Sequence, residues 1–130
     1  MLKNRVAVVT GATGALGRVV AKLLLENEVK VVASYRSEDK LAGLHEFVGG
    51  LKSNLTSVRA DVTDEQSIKN LVQKVVDKHG GVDILLNVVG AYVGGIDIAA
   101  TEESRWDFMM NVNLRSAFLC SKAVSYTHLT

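Results

Sequence analysis

The sequence predicts an α/β fold, a doubly wound parallel sheet with helices on both faces, reduced to about four strands in the order 3-2-1-4. Three observations carry that expectation. Short valine-rich apolar runs alternate with stretches of helical periodicity; a glycine-rich turn joins the first run directly to the first helical stretch; and the connections between the runs are short. Parallel strands joined by right-handed crossovers satisfy all three.

The first run, residues 5–10 (Arg-Val-Ala-Val-Val-Thr), is apolar on both faces and ends at a glycine, as a doubly buried strand does. Leu16, Val19, Val20, Leu23 and Leu24 then recur at i, i+3, i+4, i+7 and i+8, the stripe of an amphipathic helix. Residues 29–35 predict a second strand, residues 38–48 a second helix and residues 55–60 a third strand. Thr63 with Gln66 reads as a capping box, after which Ile68, Leu71, Val72, Val75 and Val76 repeat the helical stripe until Gly80 and Gly81 stop it. Residues 82–89 predict the fourth strand, an open apolar edge prone to association. Gly94 and Gly95 loosen the loop before a single helical stretch over 102–123, in which Trp106, Met109 and Met110 are expected in a core or interface and Cys120 as a buried, inert thiol.

With 48% hydrophobic and 22% charged residues, the chain has the composition of one soluble globular domain. Fifteen basic and fourteen acidic residues are spread along it, net charge +1, so no basic face marks a nucleic-acid partner. No apolar run is long enough for a membrane span and no signal-peptide layout is present, which predicts a cytoplasmic protein without a membrane partner. One cysteine excludes an internal disulfide, and no metal site is expected.

The chemistry lies in the turn Thr10-Gly11-Ala12-Thr13-Gly14-Ala15-Leu16-Gly17. Glycines at a strand-to-helix turn let backbone approach a pyrophosphate, while the amides and dipole of the helix start attract its charge. Gly11, Thr13, Gly14, Leu16 and Gly17 are therefore candidates for binding a dinucleotide. At the end of the second strand, Ala33-Ser34-Tyr35-Arg36-Ser37, no acid appears before Glu38 to hold ribose hydroxyls. Arg36 offers a fork for a phosphate dianion and Ser37 a hydroxyl donor, which favours NADP and leaves NAD as the other possibility.

Thr-Gly-x-x-x-Gly-x-Gly at this place resembles the short-chain dehydrogenase/reductase family, matched at Thr10, Gly11 and Gly17, with Ala15 where the pattern has its middle glycine. The same string also fits the Thr-Gly-x-x-Gly-x-x-Gly form of the family's extended branch. Asp61-Val62 resembles the family's Asp-Val pair, whose carboxylate accepts from the adenine amino group. Asn87-Val88-Val89-Gly90 resembles its Asn-Asn-Ala-Gly, matched at Asn87 and Gly90 only. The stretch from Trp106 through Val112-Asn113-Leu114 to Cys120 is a further long match, and its spacing resembles the single-domain branch. The resemblance implies a Rossmann-like fold, NAD(P)-dependent interconversion of a carbonyl and a secondary alcohol on a small molecule, and a homo-oligomer for the intact protein. It also implies that Asn113 is the asparagine of a catalytic tetrad, holding a water linked to a lysine; a helix-pinning asparagine is the alternative. Asn111, about 160° round the helix from Asn113, is expected to be exposed.

The family's serine, tyrosine and lysine are not found, so residues 1–123 are expected to form an incomplete NAD(P)-binding domain, inactive alone. Residues 124–130 do not continue the family pattern and are expected to be a non-native tail. A non-redox NAD(P)-binding regulator is the alternative function, separated from the enzyme by the absence or presence of a downstream Tyr-x-x-x-Lys.

Overall fold

A computed structural model describes residues 1–128. Four parallel strands, β1 (Val6–Thr10), β2 (Lys30–Tyr35), β3 (Leu55–Arg59) and β4 (Ile84–Asn87), lie in the order β3-β2-β1-β4. The α-helices are α1 (Ala15–Glu26), α2 (Glu38–Val48), α3 (Glu65–His79), α4 (Glu103–Met110) and α5 (Ser116–His128). In the register of the central ladders Val8 faces Val32 on one side and Leu85 on the other.

Strand alternation explains the two cores. Ala7, Val9, Val31 and Ala33 pack beneath α1 and α2 with Ala21, Leu25 and Leu44. Val6, Val8 and Val32 turn to the opposite face, where Leu71 and Val75 of α3 cover them. Every residue of β1 is buried, as its unbroken apolar run requires. β4 is apolar too, yet Ile84, Leu85 and Leu86 are only half-buried, and among the described residues β4 pairs with β1 alone.

Three expectations need correction. The stripe that predicts α1 forms only the margin of its buried face: Gly17, Ala21 and Leu25 face the sheet with Leu24 packed beside them, while Leu16, Val19 and Leu23 are exposed. Thr63 is not the cap of α3. Asp64 is, its side chain accepting from Ser67 N at 2.9 Å, because Thr63 is already bound to Asp61. The Gly80 stop does form, with a left-handed φ of 87°.

The helix expected over 102–123 is broken. A π-helical turn at Asn111–Arg115 separates α4 from α5. Such a turn carries an extra residue and leaves backbone groups out of register; Asn113 Nδ2 donates to Met109 O at 2.9 Å and Ser116 Oγ to Val112 O at 2.6 Å. Trp106, expected in a core or an interface, is exposed, α4 has no buried residue, and Met109 and Met110 are half-buried. Cys120 is buried, and burial pushes its thiol up to about 11. Of the tail set apart above, residues 124–128 continue α5 and Val124 packs against the core, whereas residues 129 and 130 lie outside the described residues. No helix among the described residues is long and apolar enough to cross a membrane.

Candidate functional site

The glycine turn is built by close backbone approach. Gly11 holds a φ of 67°, and a Cβ there would stand 2.9 Å from Val89 N. A Cβ on Gly17 would overlap the Gly11 carbonyl. Neither position admits a side chain, so the loop after β4, the turn and the start of α1 form one tightly packed unit. Gly14 is the N-cap of α1 in an extended conformation, with no side-chain cap and no acidic residue in the first helical turn. The first-turn amides and the positive end of the helix dipole are thereby left for an outside acceptor.

Thr10 ties this unit to β4. Its Oγ1 accepts from Val88 N at 3.2 Å and Val89 N at 3.5 Å and donates to Leu86 O at 3.4 Å. Asn87 donates from Nδ2 to Ser121 Oγ at 3.3 Å and so joins β4 to α5. The next part of the loop is gripped by Asn113. Ala91 N donates to Asn113 Oδ1 at 3.0 Å while Nδ2 donates back to Ala91 O at 2.9 Å, a two-way clamp resembling a strand bridge. Gly90 passes close beneath: a Cβ there would lie 2.9 Å from Asn113 Oδ1. Asn113 is exposed rather than set in an apolar face, and Asn111 is exposed as expected.

A cleft of about 410 Å³ runs over the carboxyl ends of the strands, where open α/β sheets place their ligands. Gly11, Thr13 and Gly14 line one end, Ser34 to Ser37 with Lys40 the far wall, and Ala60, Val62, Val88, Val89 and Gly90 the floor. A second cavity of about 310 Å³ adjoins it at Arg36, with Arg59, Asp61 and Ser67 on its walls. Asp61 Oδ1 accepts from Thr63 Oγ1 at 2.6 Å and Thr63 N at 2.9 Å. The Thr63 hydroxyl, then its amide, and then the Arg36 charge hold the Asp61 carboxyl below the usual carboxylate range, so it is ionised. Tyr35 Oη donates to Glu38 Oε1 at 2.8 Å, which raises the phenol and holds Glu38 at the strand end. A larger groove, about 490 Å³ between α3 and α5, contains none of these groups. No cluster that could hold a metal ion occurs among the described residues.

The structure therefore gathers Gly11, Thr13, Gly14, Arg36, Val62 and Gly90 round one cleft and puts Asp61 in the adjoining cavity. Leu16 and Gly17 do not line it; Leu16 faces solvent, and Gly17 is buried beneath the turn. Asn87 and Asn113 brace the floor from outside.

A family model for short chain dehydrogenase matches residues 5–129. The chain belongs to the short-chain dehydrogenase family. It is 36% identical over 122 residues to an uncharacterized oxidoreductase of Thermotoga maritima, covering 94% of this chain and 47% of that protein. With 3-oxoacyl-[acyl-carrier-protein] reductase FabG of Vibrio cholerae it shares 34% over 123 residues, 95% of this chain and 49% of the reductase. Among solved structures, a mutant of the Serratia marcescens short-chain dehydrogenase/reductase superposes with a TM-score of 0.88 at 26% identity, over 97% of this chain and 51% of that one. A mutant actinorhodin polyketide ketoreductase solved with NADPH gives a TM-score of 0.89 at 29% identity, over 95% of this chain and 47% of that one. The chain spans about half the length of the relatives it matches.

Sequence reasoning passed over two groups in this short-chain dehydrogenase site. Thr10 had a legible signal: a hydroxyl closing an otherwise apolar, fully buried strand must find partners, and Thr10 is 2% exposed. Lys40, one turn into α2, had none, since nothing in its spacing distinguishes it from a solvated lysine. The arrangement suits a long anionic ligand with its phosphate bridge at the α1 amides and its far end at Arg36, because cation, open amides and apolar floor succeed one another along one cleft.

Proposed function

We propose that this chain is the cofactor-binding portion of an NADP-preferring oxidoreductase that interconverts a carbonyl and a secondary alcohol on a small molecule. One observation carries the cofactor assignment. Arg36 stands at the cleft end remote from the glycine turn and, among the described residues, forms no ion pair. A ribose phosphate dianion is the partner such a guanidinium suits. The nearest acid after β2 is Glu38, in the first turn of α2, where it accepts from Tyr35 at one oxygen. The relative solved with NADPH supports the same choice.

Bound there, the cofactor would supply or accept the hydride. The chain's own groups would bind and orient it: first-turn amides of α1 and Thr13 at the pyrophosphate, Val62 beside the adenine, ionised Asp61 toward its amino group. Thr10 and Asn113 hold the floor still through Val88, Val89 and Ala91. Both Asn113 side-chain atoms are engaged, which supports a positioning role for it within the catalytic group the family resemblance implies. The 130 residues alone are expected to bind cofactor without turning over substrate. Exposed Trp106, Phe108, Leu114 and Phe118 on α4, the π-helical turn and α5 support pairing of subunits in the intact protein.

Titration of the purified chain with NADPH and NADH, followed by cofactor fluorescence, tests the assignment. Arg36→Asp is expected to weaken NADPH at least about tenfold and leave NADH the better ligand. An unchanged ratio of the two affinities refutes Arg36 as the phosphate reader.

A further inference from the structure

We infer that Arg59 is a second reader of the adenosine ribose phosphate, acting from β3 beside Arg36. The inference rests on the NADP assignment above and extends it to a residue outside both the glycine turn and the end of β2.

Arg59 is the last residue of β3 and pairs in register with Tyr35, the residue before Arg36. Strand alternation decides which face it takes. Thr56 accepts a hydrogen bond from Lys78 of α3, so the even positions of β3 look toward α3, and Val58 accordingly packs beneath that helix. Ser57 lies within 3.5 Å of His45 on α2, so the odd positions, Arg59 among them, look toward α2. Arg36 and Arg59 both line one cavity of about 310 Å³. Among the described residues neither forms an ion pair.

Two cations on one wall repel each other unless an anion lies between them. The carboxylate of that cavity, Asp61, offsets one charge, and its Oδ1 is taken up by Thr63. One positive charge remains in excess, carried by two residues whose side chains end in forked donors. Ser67 adds to them: its Oγ accepts from Asp61 N at 2.9 Å, which leaves the hydroxyl proton to be donated. Forked cations plus a hydroxyl donor match a phosphate monoester dianion rather than a carboxylate or a neutral ribose. An arginine kept only for solubility would not need to share a concave wall with another.

The test uses the 130-residue chain, its fold checked by circular dichroism, with four probes: adenosine 2′,5′-bisphosphate, 5′-AMP, NADPH and NADH. Arg59→Gln is expected to weaken the bisphosphate and NADPH about tenfold while 5′-AMP and NADH hold their affinities. Arg59→Lys, which keeps the charge and loses the fork, should fall between. The slope of log affinity for the bisphosphate against log salt should flatten in Arg59→Gln. Equal losses for all four probes, or no loss for any, overturn the role given to Arg59. A wild-type chain that prefers NADPH, and loses that preference in Arg36→Asp but not in Arg59→Gln, sinks Arg59 alone. A wild-type chain with no preference, or with no saturable binding, sinks the NADP assignment and Arg59 with it.

Discussion

Helices α1 and α3 have the same stripe in sequence and opposite fates in the fold. In α3 the apolar residues Ile68, Leu71, Val72 and Val75 are all buried, as their spacing predicts. In α1 the corresponding stripe leaves Leu16 66%, Val19 52% and Leu23 58% exposed, while Gly17, Ala21 and Leu25 lie against the sheet. The buried set runs i, i+4, i+8 from Gly17, whose backbone lies against the Gly11 carbonyl. Hydrophobic burial orients α3; in α1 the close approach of Gly17 to the Gly11 carbonyl sets the rotation and leaves Leu16, Val19 and Leu23 outward. The rule that apolar residues go inside yields where two stretches of backbone must meet without a side chain between them.

The strongest way to break this comparison is Gly17→Val. Its side chain would enter the space of the Gly11 carbonyl, and Gly11 cannot retreat because its own Cα is packed on the backbone of Val88 and Val89. Urea denaturation should show a loss of more than about 3 kcal/mol, together with loss of NADPH binding. A variant as stable and as tightly binding as the wild type would mean that something other than the turn rotates α1. Leu71→Ala sharpens the other side. Leu71 is 2% exposed between α3 and the sheet, so its truncation should cost about 3 kcal/mol of stability through lost burial and a cavity. A cost under about 1 kcal/mol would show that α3 is not held by its stripe.

Most of the architecture was legible because it depends on patterns that local chemistry enforces. Four apolar residues and Thr10, closed by Gly11, make β1, and Gly80 ends α3 with the positive φ its position demands. Thr13, Gly14, Arg36 and Val62 converge on one cleft because they follow the carboxyl ends of β1, β2 and β3 in an order the alternation implies. What stayed hidden depended on competition between near-equal partners. Thr63 and Asp64 both could cap α3, and the choice fell to Asp64 because Thr63 is drawn to the ionised Asp61. The π-helical turn at Asn111–Arg115 has no mark in the apolar periodicity; its visible partner is the amide of Asn113, which reaches back to Met109 and across to Ala91. Arg59 was hidden for a third reason, since only the β2 to β3 register brings it beside Arg36.

The smallest effect is the most discriminating. Leu23 belongs to the α1 stripe by spacing and to the surface by structure, so Leu23→Gln separates the two descriptions where Leu71→Ala cannot. If the turn sets the rotation of α1, the polar side chain lies in water, glutamine keeps nearly the helix propensity of leucine, and stability should change by less than about 0.5 kcal/mol. If the stripe instead packs, burying an amide without a partner would cost about 1–3 kcal/mol. Protein concentration distinguishes the case in which copies of the chain cover the face. A wild-type Tm that rises with concentration, and a Leu23→Gln Tm that does not, would place Leu16, Val19 and Leu23 at a contact between molecules, whereas a Tm independent of concentration in both leaves Gly17, Ala21 and Leu25 inward and Leu16, Val19 and Leu23 in solvent.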